Sequence, residues 1–212
     1  MNRDQFAHDE WYHCYNRGVD KRRTFVSSRD YERMQELLYL ANSSTALHRS
    51  NHKHIVHESV FTIPRGDPLV SIAAYCLMPN HLHLLLKQEV EGGIPTFMRK
   101  LMTGYTMYFN SKHRRVGNLF YKPFRSRHVP DDRYGQHVYN YIHANPWELV
   151  RSKSKSVQIR FLETYPYSSL IDTRKARAAS KIITRSQDAP FMQKSTTTLL
   201  SDALFFDENT AR

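Results

Sequence analysis

Two apolar runs, Leu69–Leu77 and His81–Leu86, are separated only by Met78-Pro79-Asn80, and this pair constrains the fold more than any other feature. Each run has the length of a strand, and Pro-Asn punctuates the gap, so the pair reads as two buried strands joined by a tight connection. The rest of the chain arranges itself around that pair. Trp11–Asn16 reads as a strand followed by a turn at Arg17-Gly18-Val19-Asp20. Arg29–Ala41 reads as a helix, with Met34, Leu37, Leu38 and Ala41 on one face and Ser27 or Ser28 as its cap. Ile94–Lys112 carries Phe97, Leu101, Tyr105 and Tyr108/Phe109 at helical spacing. Phe124–Val129 reads as a strand and Asp131–Asn145 as a helix stopped by Pro146. Strand, helix, two strands, helix, strand, helix implies an α+β fold: an antiparallel sheet with helices packed on it, ferredoxin-like or split βαβ.

Residues 43–68 read as a polar, irregular stretch with a strand at His54–Ile63. His48, His52, His54 and His57 fall there without a fixed ligand spacing, which favours a solvated loop over a metal site. Beyond Val150 the texture changes. The expected division is a catalytic domain over 1–150, a packing segment over 151–172 that starts with the charged linker Arg151–Lys155, and a mobile basic tail over 173–212. Thr164–Ser169 reads as a packed-down turn, and Thr198–Phe206 as a short amphipathic stretch of the tail.

Charge narrows the function. Lys and Arg number 31 against 20 Asp and Glu, a net charge of +11 that favours a polyanionic partner, nucleic acid before membrane. No apolar stretch approaches the roughly 18–20 residues of a spanning helix, and Met1–His13 lacks an apolar leader core, so a cytoplasmic protein is expected. Cys14 and Cys76 are too few for a disulfide framework. Residues 92–130 contain no acid and eight bases: Arg99, Lys100, Lys112, Arg114, Arg115, Lys122, Arg125 and Arg127. Aromatic residues interleave with them, as suits unpaired strands whose phosphates meet cations while bases stack. These eight, with Arg17, are the expected DNA contacts.

Two local patterns carry chemistry. In His81-Leu82-His83 the strand period of two sets both imidazoles on one face, where they can hold a divalent cation and leave positions open. In Tyr141-Ile-His-Ala-Asn-Pro146 the helical period sets Tyr141 and Asn145 on one face, placing a phenol beside a hard amide oxygen. No phosphate-binding Gly-rich loop is present, so no nucleotide cofactor is expected.

Four segments in order, Tyr12-His-Cys-Tyr-Asn-Arg-Gly18, Ala74-Tyr-Cys-Leu-Met-Pro-Asn-His-Leu-His-Leu-Leu-Leu86, Asn118-Leu-Phe-Tyr-Lys-Pro-Phe-Arg125 and Tyr141–Pro146, resemble the single-tyrosine HUH transposases. Within them the pattern resembles the REP-associated tyrosine transposase branch of the insertion sequence 200-like superfamily. The resemblance runs from Trp11 to Val150, with Tyr165-Pro-Tyr-Ser-Ser169 as a coda. Tyr121-Lys122 stands where most of that branch reads Gln-Gly or Glu-Gly.

The resemblance implies an antiparallel sheet with helices on one side. It implies a metal, Mg²⁺ or Mn²⁺, held by His81 and His83 and completed by Asn145, with Tyr141 as the nucleophile. It further implies cleavage and rejoining of single-stranded DNA near hairpins through a 5′-phosphotyrosine, by a monomer or a homodimer. Tyr105 and Tyr108 are rival nucleophiles in a helix, but neither has the motif asparagine four residues on. The competing readings are a DNA- or RNA-binding relic without activity and a nuclease that uses metal-activated water.

Overall fold

The computed structural model describes residues 6–46, 49–52, 54–173 and 175–184. Four strands, β1 (Trp11–Arg17), β2 (Val70–Met78), β3 (His81–Gln88) and β4 (Arg125–Val129), form one antiparallel sheet in the order β2-β3-β1-β4. The helices are α1 (Ser28–Leu40), the single turn α2 (His57–Val60), α3 (Gly93–Lys112), α4 (Asp132–Ala144) and α5 (Lys155–Thr164). With α1 crossing from β1 to β2 and α3 from β3 to β4, this is the ferredoxin-like arrangement that the order of elements implied.

Alternation along β3 decides what each face of the sheet does. Leu82, Leu84 and Leu86 enter a core built with Met34 and Leu38 of α1 and Phe97, Leu101 and Tyr105 of α3. Leu85, one position out of phase, packs with Val138, Tyr139 and Ile142 of α4 on the other face. Helices therefore cover both faces, where the resemblance implied one. Every residue of β2 and β3 is buried, so strands that would read as alternating under one-sided cover read as continuous apolar runs.

Local chemistry sets the helix starts. The Asp30 carboxylate accepts from the backbone N–H groups of Val26 and Ser27 at 2.9 and 3.0 Å, closing the entry to α1. Asp131 accepts from Tyr134 N at 2.7 Å at the start of α4. Gly18 turns the chain out of β1 where a Cβ would lie 2.5 Å from the Arg22 carbonyl oxygen.

Two expectations need correction. The strand at His54–Ile63 is instead the helical turn α2, which lays Val60, Phe61 and Ile63 into the α1 side of the core while His57 reaches the Glu36 carboxylate at 3.3 Å. The short linker after Val150 runs, as expected, to the start of α5 at Lys155, with Ser154 as its N-cap, and Leu162 of that helix is buried with Ala144, Trp147 and Leu170. Residues 175–184, expected within the mobile tail, pack on the body. Ala179 and Ile182 join the α1-side core, and Arg177 holds Asp172 at 2.7 Å and the Tyr75 hydroxyl at 2.9 Å. The adjoining chain also covers the outer edge of β2, where Tyr167 O accepts from Leu77 N and Ile72 O accepts from Thr184 N. Residues 185–212, with the Thr198–Phe206 stretch, lie outside the described residues, as does His48.

Candidate active site

The α4 face of the sheet gathers the polar chemistry at one end of β1 and β3. Antiparallel register pairs Tyr15 with His83 and Arg17 with His81, so His13 lies diagonally across from His83 on the same face. Its Nε2 is 2.9 Å from His83 Nδ1, a buried hydrogen bond between two imidazoles. His81 and His83 have ring centroids 5.1 Å apart, as the two-residue spacing required.

Asn80, in the tight connection between β2 and β3, fixes the His81 ring. Its amide nitrogen donates to Lys21 O at 3.3 Å, which turns its Oδ1 toward His81 Nδ1 at 2.7 Å. His81 therefore donates from Nδ1 and presents a lone pair at Nε2. That lone pair faces Asn145 Oδ1 at 3.5 Å. The Asn145 orientation is fixed as well, since its Nδ2 donates to Tyr141 O at 2.8 Å. Two acceptors thus face each other in a buried place, an arrangement that a cation between them relieves.

Tyr141, on α4, sets its ring edge-on against His83 at 5.4 Å and His13 at 5.9 Å between centroids. Asn145 caps that helix one turn later. The sequence-predicted histidine pair, Tyr141 and Asn145 therefore meet at one place, although they come from two elements.

Burial and neighbouring charge keep the imidazoles neutral, the form in which a ring nitrogen can bind a metal. Burial lowers His81 to about 4 and His13 to about 3, with Arg17 adding to the effect at His81 and Arg127 at His13. His83 lies well below its ordinary value, first through burial and then through the neighbouring His13, His81 and Arg17. Among the described residues no group of three or more His, Cys, Asp or Glu gathers for a metal. The donor set is two imidazoles and an amide oxygen. These are donors of the kind that could hold a divalent cation.

The rival tyrosines are placed elsewhere. Tyr105 is fully buried on the opposite face, donates to Thr24 O at 2.6 Å, and is pushed far up by desolvation. Tyr108 is raised chiefly by desolvation, and its hydroxyl donates to Asp30 Oδ1 at 3.0 Å.

The nine expected DNA contacts divide. Arg17, Arg125 and Arg127 stand exposed on the α4 face, because Arg125 pairs with Tyr15 and Arg127 with His13. Lys122 and Arg114 are exposed in the α3–β4 connection, and Arg115 bonds Asn110 at 2.7 Å. Arg99, Lys100 and Lys112 ride on α3, away from the histidines. Lys112 is held by Asp30 at 2.6 Å and Lys100 by Ser43 O at 2.7 Å.

Sequence reasoning missed His13 and Asn80. Both sit inside the quoted motifs, and the parity of β1 would have set His13 on one face with Tyr15. Its position against His83 depends on the β1–β3 register, which no local pattern carries.

Residues 52–145 match a protein-family model described as "Transposase IS200 like". That span holds His81, His83, Tyr141 and Asn145, while β1 lies outside it. A search of curated proteins finds no match. Among solved structures, the chain is similar to one titled "Structure of the REP associates tyrosine transposase bound to a REP hairpin". The TM-score is 0.56 and the identity 14%, covering 92% of this chain and 95% of that one. The likeness is one of fold.

Proposed function

We infer that this chain, which matches the IS200-like transposase model over residues 52–145, cleaves and rejoins single-stranded DNA with Tyr141 as the nucleophile. The observation that carries the reading is the meeting of Tyr141 with His83, whose ring centroids lie 5.4 Å apart, beside the Asn145–His81 pair at 3.5 Å. A bound Mg²⁺ or Mn²⁺ supplies charge neutralisation at the scissile phosphate. His81, His83 and Asn145 would hold the cation. Arg17 and Arg127 offset the charge of the flanking phosphates.

Tyr141 gives its phenolic proton to solvent water as its oxygen attacks phosphorus, and the same solvent returns a proton to the departing oxygen. A P–O bond to the tyrosine forms as the bond to the 3′ oxygen breaks, and that oxygen leaves as a 3′-hydroxyl after taking up a proton. One phosphodiester replaces another, so the reverse step on a new 3′-hydroxyl needs no nucleotide. Hairpin-forming single strands are the proposed substrate. The REP hairpin in the structurally similar transposase and the exposed cations of β1 and β4 support that choice.

The test is a denaturing gel of the protein with labelled single-stranded hairpin DNA from the flanks of its own gene, in Mn²⁺ or in EDTA. A metal-dependent protein–DNA band that disappears in Tyr141→Phe is the expected result. Cleavage without a band would assign the attack to water. Binding with neither band nor cleavage would leave a DNA-binding relic.

A further inference from the structure

We propose that His13 is a positioning residue of this site: its Nε2 accepts from His83 Nδ1–H and thereby fixes His83 to ligate through Nε2. The inference rests on the metal-dependent reading above and adds a residue to it from β1, outside the span of the family match.

The argument begins with hydrogen counting. Neutral imidazole carries one N–H and one lone pair. A 2.9 Å contact between His13 Nε2 and His83 Nδ1 therefore requires one ring to donate and the other to accept. If His83 accepted at Nδ1, its proton would sit on Nε2, and neither nitrogen could bind a cation. If His83 donates, Nε2 is the ligating lone pair and the ring is held in plane by its own hydrogen bond. The second arrangement alone makes His83 a ligand while preserving the contact.

The same logic already operates one ligand away. His81 donates from Nδ1 to Asn80 Oδ1 at 2.7 Å and turns Nε2 toward Asn145. Both histidines thus present Nε2, each through a partner behind it, Asn80 for one and His13 for the other. Such partners fix tautomer and ring orientation and raise ligand basicity.

His13 is itself well held. It is 9% exposed, and its ring lies 5.1 Å from both Tyr15 and His83. The register that sets it two residues beyond the Tyr15–His83 pair leaves it no other imidazole to meet on that face. It also touches the edge of Tyr141 at 5.9 Å, so the positioning group for the ligand abuts the ring of the proposed nucleophile.

The test compares His13→Gln, which keeps an acceptor, with His13→Phe, which keeps a ring and removes the acceptor. The readout is Mn²⁺ affinity of the DNA-free protein, followed by loss of the free Mn²⁺ electron paramagnetic signal. His13→Phe should bind Mn²⁺ about 10- to 100-fold more weakly, and His13→Gln within a few-fold of the parent. In the metal-free parent, long-range ¹H–¹⁵N correlation of the imidazoles should report the Nδ1–H tautomer for His83.

Parent-like Mn²⁺ binding in His13→Phe overturns the inference and leaves the metal reading standing. Equal loss in both variants overturns it too, since the acceptor would then be irrelevant. An Nε2–H tautomer for His83 overturns it without recourse to any variant. A parent protein that binds no Mn²⁺ overturns the metal reading and this inference with it.

Discussion

Acidification should unfold this protein at a pH where ordinary domains are still near their most stable. Four imidazoles are sealed into the folded chain: His13 at about 3, His81 at about 4, His143 at about 3, and His83 well below its usual value. All four are lowered chiefly by burial. In the unfolded chain each titrates near 6.5, so below that pH the unfolded chain binds more protons than the folded one. Stability is then fully present above about pH 7 and drains away as pH falls through 6.5 toward the folded values. Well below 6.5 each group costs about 1.4 kcal/mol per pH unit, and four together about 5.5 kcal/mol per unit. Between pH 7 and pH 5.5 the loss comes to about 5 kcal/mol, against a total of about 5–15 kcal/mol for a typical domain. Carboxylates do not share this window, because Glu36, at about 2, begins to matter only below its ordinary 4.5. The assay is urea unfolding followed by circular dichroism in EDTA at a series of pH values. His143→Gln keeps a partner for Ser169, which His143 contacts at 2.7 Å, and should flatten the slope by about a quarter of the four-group value. A loss under about 1 kcal/mol between pH 7 and pH 5.5 would refute the sealed-imidazole argument.

Two further predictions separate the faces of the sheet. Tyr105→Phe removes the bond to Thr24 O and should cost about 1–3 kcal/mol in denaturant melts while leaving the covalent DNA adduct on the gel intact. Arg17→Ala and Arg127→Ala should each weaken single-strand binding and reduce the salt slope by about 0.7 per lost phosphate contact. Lys112→Ala, which breaks the 2.6 Å pair with Asp30, should lower stability and leave that slope unchanged, as read by fluorescence anisotropy across a salt series.

What local pattern could carry was legible. The β2–β3 pair, the α1 and α3 faces and the alternation of His81 with Leu82 follow from spacing alone, and the observed elements agree to within a residue or two. Tyr141 and Asn145 were readable as one helix face. Their meeting with the histidines was not, because it depends on how α4 crosses the sheet. The 54–63 segment was misread because Val60, Phe61 and Ile63 suit either a strand or a turn, and the buried Glu36 that receives His57 lies on a distant helix. Residues 175–184 looked like tail for the same reason. Ala179 and Ile182 are a weak apolar signal until the Arg177–Asp172 pair fastens them down.

The acid-free stretch of 92–130 shows why a charge run alone cannot locate a DNA groove. Its cations divide by what lies across from them. Asp30 sits at the mouth of α1, next to the end of α3, and neutralises Lys112 there. Carbonyls of Ser43 and Thr45 engage Lys100 at 2.7 and 3.4 Å. Among the described residues Arg125 and Arg127 of the stretch, like Arg17 of β1, have no carboxylate partner, and Arg127 donates to the Tyr134 hydroxyl at 3.3 Å. These three share the face that carries His13, His81 and His83. The same positive charge that would draw phosphate to this face also disfavours protonation of the buried imidazoles beside it. On the proposed reading, one arrangement of strands would serve both attraction of a phosphate backbone and neutrality of the imidazoles, and removing Arg17 should weaken the first while relaxing the second.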